Sequence, residues 1–365
     1  MKIVVTGTRG IPEIQGGVET HCQELYPRMA ARGHDVTVIC RTSYVTDPNL
    51  TEYKGVKLLN IATPRRKSLE AIVHTFRAVM AARRLKPDVV HIHAIGPQLM
   101  VPVARLMGLK VVSTNHGPDY NRKKWGRLAR TALKLGERMA AKFSNAVISI
   151  SEDIRKSLHD KYGCSSFLIF NGVNKPAKSK SSDYIESLGL APHKYVLALG
   201  RFVKEKGFDD LIHAFAKAEL AQQGWKLAIA GDADHEDAFS LELKQLAKDT
   251  EGVVLTGFIR GERLNQVLTN AGLFVLPSYH EGLPIALLEA LSYDLDVLVS
   301  DIPANTLSCL EPTDFFRVGN VDELSRALQR KTASAAPRTY DLRPYDWDEI
   351  CTQTLDVYSQ ILRKS

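Results

Sequence analysis

Glu281 and Glu289 stand eight residues apart in SYHEGLPIALLEALS (278–292), and what carboxylates offer there is hydrogen-bond acceptance. The segment leaves an apolar run, passes a Glu-Gly-Leu-Pro turn and enters a helical pattern, with Pro284 suited to the first helical position. Eight helical residues leave about 80° of net rotation, so the two carboxylates can reach one ligand at different depths. The amides of Gly282 and Leu283 would sit at a helix N-terminus, a place that binds phosphate oxygens. Taken alone, such a pair serves equally as a helix-dipole partner and a solvated surface charge. A second segment, GRFVKEKGFDDLIHAF (200–215), places Arg201 and Lys206 between a strand-like run and a helix-like one. Two cations so placed can stabilise negative charge on a bound group.

Two further loops follow strand-like runs. TGTRGIPEIQGGVETHCQEL (6–25) puts Gly16 and Gly17 just ahead of a helical pattern, where the missing Cβ lets a ligand approach the backbone. It is not G-x-G-x-x-G, which argues against a nicotinamide-dependent dehydrogenase. STNHGPDY (113–120) places His116 directly after a strand, with Gly117 and Asp119 beside it. His91 and His93, inside a strand-like run, read as structural histidines. The stretch NRKKWGRLARTALKLGERMAAK (121–142) is dense in Lys and Arg, with Trp125 and several leucines interspersed. It fits an amphipathic helix on an anionic membrane surface, or equally a solvated face. No aromatic-rich or zinc module accompanies the charge, so nucleic acid is not expected as a partner.

The elements that must hold these groups alternate short β-branched runs with longer amphipathic stretches, the pattern of βα units and parallel sheets. Strand-like runs fall at 2–7, 34–40, 56–61, 88–93, 110–115, 145–151 and 166–170, then at 195–200, 226–231, 252–257, 273–278 and 296–301. A Lys-, Ser- and Pro-rich stretch at 172–194 reads as a linker. A length of 365 residues favours two domains. These are expected at 1–170, joined by a closing helix at 345–365, and at 171–344. Residues 1–170 carry 27 Lys and Arg against 13 Asp and Glu, and the remainder 21 against 28, which points to an anionic partner for the first half. Five scattered cysteines without a CxxC pair suit reduced thiols in the cytosol. With neither a signal peptide nor a long charge-free apolar stretch, the chain is expected to be cytoplasmic, at most peripheral to the inner face of the plasma membrane.

AGLFVLPSYHEGLPIALLEALS resembles the E-x7-E signature of glycosyltransferase family 4, the group 1 transferases, and GRFVKEKG resembles that family's G-R-x4-K-G segment. The TRGIP…GG-x-ET wording is similar to a subgroup tied to bacterial cell-surface polysaccharides, with rhamnosyltransferase-like members. The motifs follow the family's order over roughly 2–330, and 345–362 resembles its terminal helix. The resemblance implies the GT-B fold: α/β, with two Rossmann-like doubly wound lobes, a cleft between them and a C-terminal helix crossing back. It implies retaining, metal-independent hexosyl transfer from a nucleotide diphosphate sugar to a saccharide or lipid-linked acceptor, with no cofactor beyond that substrate. By the same resemblance Glu281 and His116 meet the transferred sugar, Glu289 the ribose, and Arg201 and Lys206 the diphosphate. Gly16 and Gly17 approach the donor diphosphate, and Gly282, Leu283 and Pro284 line the donor site. Asp119 and Trp125 fall on the acceptor side. One departure is Asp294-Leu295-Asp296, where the family carries G-x-P after its Glu helix; Asp tolerates the left-handed geometry a helix end needs. Two other readings stay open: a nucleotide-sugar epimerase of the same fold, and a non-catalytic membrane-associated binding protein.

Overall fold

The structure, a computed structural model, describes residues 1–45, 47–62, 67–121, 126–233 and 236–363. It forms two compact units, Met1–Gly172 with Pro344–Ser365, and Val173–Arg343. The first unit is built on β1 (Lys2–Thr6), β2 (Asp35–Arg41), β3 (Glu52–Tyr53), β4 (Val56–Ile61), β5 (Val89–His93), β6 (Val111–Asn115), β7 (Ala146–Ser149) and β8 (Phe167–Leu168). Across the sheet they run β3-β4-β2-β1-β5-β6-β7-β8, and only the β3–β4 pair is antiparallel. Its helices are α1 (Gly17–Ala31), α2 (Lys67–Leu85), α3 (Val101–Leu106), α4 (Arg127–Phe143) and α5 (Glu152–Tyr162), completed by the C-terminal helix Trp347–Arg363.

Both faces of this sheet are covered, which is why its strands read as unbroken apolar runs. Ile3 and Val5 face a core shared with Leu25, Tyr26 and Met29 of α1, while Val4 faces the opposite core with Ala78 and Val79 of α2. The C-terminal helix joins the first of these cores. Its apolar positions Ile350, Val357, Tyr358 and Ile361 recur at helical spacing and are buried there with Trp347. Each such side chain contributes about 1.5–3 kcal/mol on burial, so the last helix belongs energetically to the first unit.

The second unit carries β9 (Tyr195–Leu199), β10 (Lys226–Ala230), β11 (Val253–Gly257), β12 (Leu273–Leu276), β13 (Val297–Ser300) and β14 (Phe315–Phe316). They form an all-parallel sheet in the order β11-β10-β9-β12-β13-β14. Its helices are α6 (Asp183–Ser187), α7 (Phe208–Lys217), α8 (Ala238–Asp249), α9 (Gly261–Thr269), α10 (Ile285–Ser292) and α11 (Val321–Ala333); the C-terminal helix is α12. Apart from the β3–β4 pair, the strand order in each sheet turns back between β1 and β5 and between β9 and β12. Ligands of open α/β sheets bind outside the carboxyl ends of the strands at such a switch point.

One local expectation changes, and another is met. The stretch 172–194 is not all linker. From Ser179 onward it packs on the second unit, with the amides of Ser179 and Tyr184 donating to Thr269 and Gln266 of α9, and Ile185 fully buried. The Asp294-Leu295-Asp296 turn is left-handed at Asp294, with φ 61°. Asp296 is buried, and one of its carboxylate oxygens accepts from Lys331 at 2.6 Å and Arg338 at 3.2 Å. Asp314, also buried, holds the same two cations at 2.7 and 2.6 Å. Where the resemblance leads one to expect a proline, this chain has an ion cluster that fastens Lys331 and Arg338 to the turn after α10.

Candidate functional site

In the second unit the site residues stand on the loops after β9 and β12, on either side of the switch point. Gly200 follows β9 and Gly231 follows β10; Gly231 has φ 143°, and a Cβ there would lie 1.8 Å from the Gly200 carbonyl oxygen. Only glycine permits this approach, which brings Arg201 and the turn Lys204–Lys206 to the carboxyl edge. Gly207, at φ 65°, then starts α7; a Cβ there would meet the Pro277 carbonyl oxygen at 2.4 Å. The two loops are thus pressed together, and the Tyr279 amide donates to the Glu205 carbonyl at 2.8 Å. Across that junction Lys206 Nζ donates to Glu281 Oε1 at 2.6 Å, and Ser278 Oγ donates to the same oxygen at 2.6 Å. The ion pair is mostly buried, with side-chain exposures of 18% and 12%, so its charges are weakly screened.

Glu289 lies half-buried in α10, and Arg201 half-buried directly after β9. Pro284 is not the first residue of α10 but its N-cap, with φ −74° and ψ 110°. A residue with ψ near 110° is outside the helical region, so the helix begins one residue later than its sequence suggests. The amides at the helix head are accordingly those of Ile285 and Ala286, with Gly282 and Leu283 in the turn ahead of it.

In the first unit the loop after β1 is held by an internal clamp. Arg9 Nε donates to Glu19 Oε1 at 3.2 Å, the Arg9 amide to the same oxygen at 3.0 Å, and the Arg9 guanidinium also to the Gln15 carbonyl. Burial raises the Glu19 pKa, but the Arg9 charge and hydrogen bonds outweigh it and leave the carboxyl below its ordinary value. Gly16 sits inside the clamp at φ 148°, where a Cβ would meet Glu19 Oε2 at 2.2 Å. A Cβ on Gly17 would meet nothing within 4 Å. The two glycines therefore differ: the first is required by the loop, while the second leaves open space at the head of α1.

His116 is half-buried after β6, and Gly117 follows at φ 124°. The buried Glu137 of α4 fixes this loop on both sides, accepting from Asn115 Nδ2 at 3.2 Å and from Tyr120 Oη at 3.2 Å. Gly136 lets α4 come close enough, since a Cβ there would lie 2.0 Å from the Ile95 carbonyl oxygen. Asp119 opens a 3-10 turn, half-buried. Trp125 lies outside the described residues. Sequence reasoning passed over Arg9, Glu19, Ser278 and Glu137; only the first two left a sign, as fixed letters in TRGIP…GG-x-ET.

Two α/β units built on parallel strands, with glycine-bearing loops at their switch points and a Lys–Glu pair joining two loops of the second, fit the GT-B architecture. Residues 15–175 match Glycosyltransferase Family 4, and residues 181–334 match Glycosyl transferases group 1. The chain belongs to this family, the group 1 glycosyltransferases of family 4. It is 26% identical to the putative teichuronic acid biosynthesis glycosyltransferase TuaC of Bacillus subtilis, over 78% of this chain and 76% of that one. It is 25% identical to the UDP-Gal:alpha-D-GlcNAc-diphosphoundecaprenol alpha-1,3-galactosyltransferase of Escherichia coli, over 91% of this chain and 88% of that one. The fold resembles sucrose-phosphate synthase from Thermosynechococcus elongatus, with a TM-score of 0.81 at 20% identity over the whole of both chains.

Proposed function

We propose that this glycosyltransferase transfers a hexose with retention, without a metal, from a nucleotide diphosphate sugar to a saccharide or lipid-linked acceptor in cell-surface polysaccharide synthesis. The observation that carries the reading is the Lys206–Glu281 pair, held where two glycine-crossed loops meet at the switch point. When a donor enters, its diphosphate competes for Lys206, and the released Glu281 carboxylate accepts hydrogen bonds from the sugar. Arg201 adds a second positive charge for the leaving diphosphate, and Glu289 takes the ribose hydroxyls. His116 is assigned to the transferred sugar, and Asp119 and Trp125 to the acceptor. Attack comes from the face the diphosphate leaves. The C1–phosphate oxygen bond breaks, the acceptor oxygen bonds to C1 on that same side, and the acceptor proton passes to the departing phosphate. Positive side chains stabilise charge that develops only as the bond breaks, so they raise kcat more than they lower KM.

The acceptor reading draws on α4. Arg127, Arg130, Lys134, Arg138 and Lys142 are all exposed, and Glu137, the helix's acidic residue, is buried. Leu128 is 88% exposed among those charges. A cationic face with protruding leucine suits an anionic bilayer, as a lipid-linked acceptor requires, and supports the reading of an enzyme that works at the cytoplasmic membrane surface. No helix among the described residues is long and apolar enough to cross a membrane.

Thermal shifts with UDP, GDP and dTDP identify the base, followed by turnover of sugars carrying it. Lys206→Ala and Glu281→Gln are expected to remain folded and to lower kcat on the order of 10²–10³-fold. Normal turnover by Lys206→Ala would remove the basis of the reading. Nucleotide release that does not depend on an added acceptor would favour the epimerase instead. Leu128→Asp should abolish co-sedimentation with phosphatidylglycerol vesicles while nucleotide binding stays unchanged.

A further inference from the structure

Strand β5 alternates, so Val90 and Ile92 enter one core while His91 and His93 turn toward α1 and α12. There four imidazoles and two phenols form one connected layer. Burying so many polar rings is costly unless each is hydrogen-bonded, and apolar residues would fill the space at lower cost. Burial pushes the His91 pKa down to about 3, and burial together with the neighbouring imidazoles pushes those of His93 and His116 well below the ordinary value, so all three rings are neutral near pH 7. A neutral imidazole has one N–H and one acceptor nitrogen, and the contacts decide which is which.

Tyr358 Oη lies 2.6 Å from His91 Nδ1, and His91 Nε2 lies 2.7 Å from Thr114 Oγ1, so both nitrogens of His91 are engaged. Tyr26 Oη is 3.0 Å from the same His91 Nδ1 but 2.5 Å from His93 Nε2. Tyr26 Oη also hydrogen-bonds the Tyr358 hydroxyl, but with His91 Nδ1 taken at shorter range by Tyr358 the short contact of Tyr26 is with His93 Nε2, and its proton is assigned there. His93 then carries its own proton on Nδ1, and that N–H faces His116 Nε2 at 2.9 Å. His116 must accept there and hold its proton on Nδ1, a nitrogen with no hydrogen-bond partner among the described residues.

We propose that His93 and Tyr26 are positioning residues that fix His116 in the Nδ1–H tautomer, so that it presents a hydrogen-bond donor to an oxygen of the nucleotide-sugar. The inference rests on the reading of His116 as a site residue given above. A donor held in advance toward a hydroxyl or phosphoryl oxygen costs no reorganisation when the ligand arrives.

The test uses the full chain labelled with ¹⁵N-histidine, with His116→Ala assigning the His116 signals in long-range ¹H–¹⁵N spectra. Turnover is followed with UDP-glucose, UDP-galactose, GDP-mannose or dTDP-rhamnose, whichever releases most nucleotide. The wild type should show His116 as Nδ1–H. Tyr26→Phe, which keeps the ring and its packing, should turn this into a mixture of tautomers and lower kcat on the order of tenfold at unchanged KM. His93→Phe should do the same. A wild-type His116 protonated on Nε2, or Tyr26→Phe and His93→Phe proteins with unaltered His116 nitrogens, overturns the proposal. His116→Ala separates the two readings. Wild-type turnover in that variant takes His116 out of the site altogether. Lost turnover there, beside unchanged His116 signals in Tyr26→Phe, overturns only the positioning.

Discussion

Gly16 and Gly17 look interchangeable as letters, yet their surroundings assign them different tasks. Alanine at position 16 would combine a left-handed φ with a clash against the Arg9–Glu19 clamp. We expect Gly16→Ala to lose about 1–3 kcal/mol in urea denaturation. Gly17→Ala should leave the denaturation midpoint unchanged, because its Cβ points into open space. If a diphosphate approaches that backbone, the same variant loses turnover; full activity in Gly17→Ala would show that no ligand comes near. Sequence alone suggests a close approach at the glycine pair but cannot say which member allows it. That depends on a glutamate three residues further on and an arginine seven residues back.

At the level of elements, strand β5 ties the first unit to acid sensitivity. His91, on β5, and His21, on α1, are buried neutral, with pKa values pushed by burial to about 3 and about 4. The unfolded chain titrates near 6.5, so between about pH 6.5 and 4 the unfolded state binds protons that the folded state refuses. Stability is therefore fully present above about pH 6.5 and falls as the pH drops toward 4, by up to about 1.4 kcal/mol per pH unit for each histidine. Urea midpoints at pH 7.5, 6 and 5 should decline, and a flat profile over that range would refute neutral burial. The elements themselves were largely readable, because parallel strands covered on both faces must be apolar throughout and so stand out from amphipathic helices. The short strands β3 and β14, two residues each, gave no such pattern. The segment from Ser179 looked like a linker because its lysines and serines are largely exposed; the buried Ile185 and Leu190 and backbone hydrogen bonds to α9 hold it in place.

At the scale of the whole molecule the chain folds back on itself, since its last helix completes the core of its first unit. Trp347, Tyr358 and Ile361 share that core with Tyr26 and Leu25. Ending the chain after Arg343 would expose them all. Calorimetry on such a truncated chain should show the first unit's transition lowered by well over 10 °C or lost, given several buried side chains at about 1.5–3 kcal/mol each. The second unit, Val173–Arg343, should melt as in the full chain. Loss of both transitions together would show that the second unit depends on the first.

The sequence by itself determined the local matters: which of the longer runs become strands, that the sheets are built on parallel strands, and that Lys206 and Glu281 stand on loops following strands. These follow from nearest-neighbour patterns of polarity and from turn chemistry, which act over a few residues. Only the tertiary structure decided the pairings. It turned the strand order back at β5 and β12, brought Lys206 to Glu281 across 75 residues, and set Tyr358 against His91 across 267. A hydrogen bond depends on tenths of an ångström, and no local pattern holds groups so far apart along the chain to that precision; packing of the finished core does.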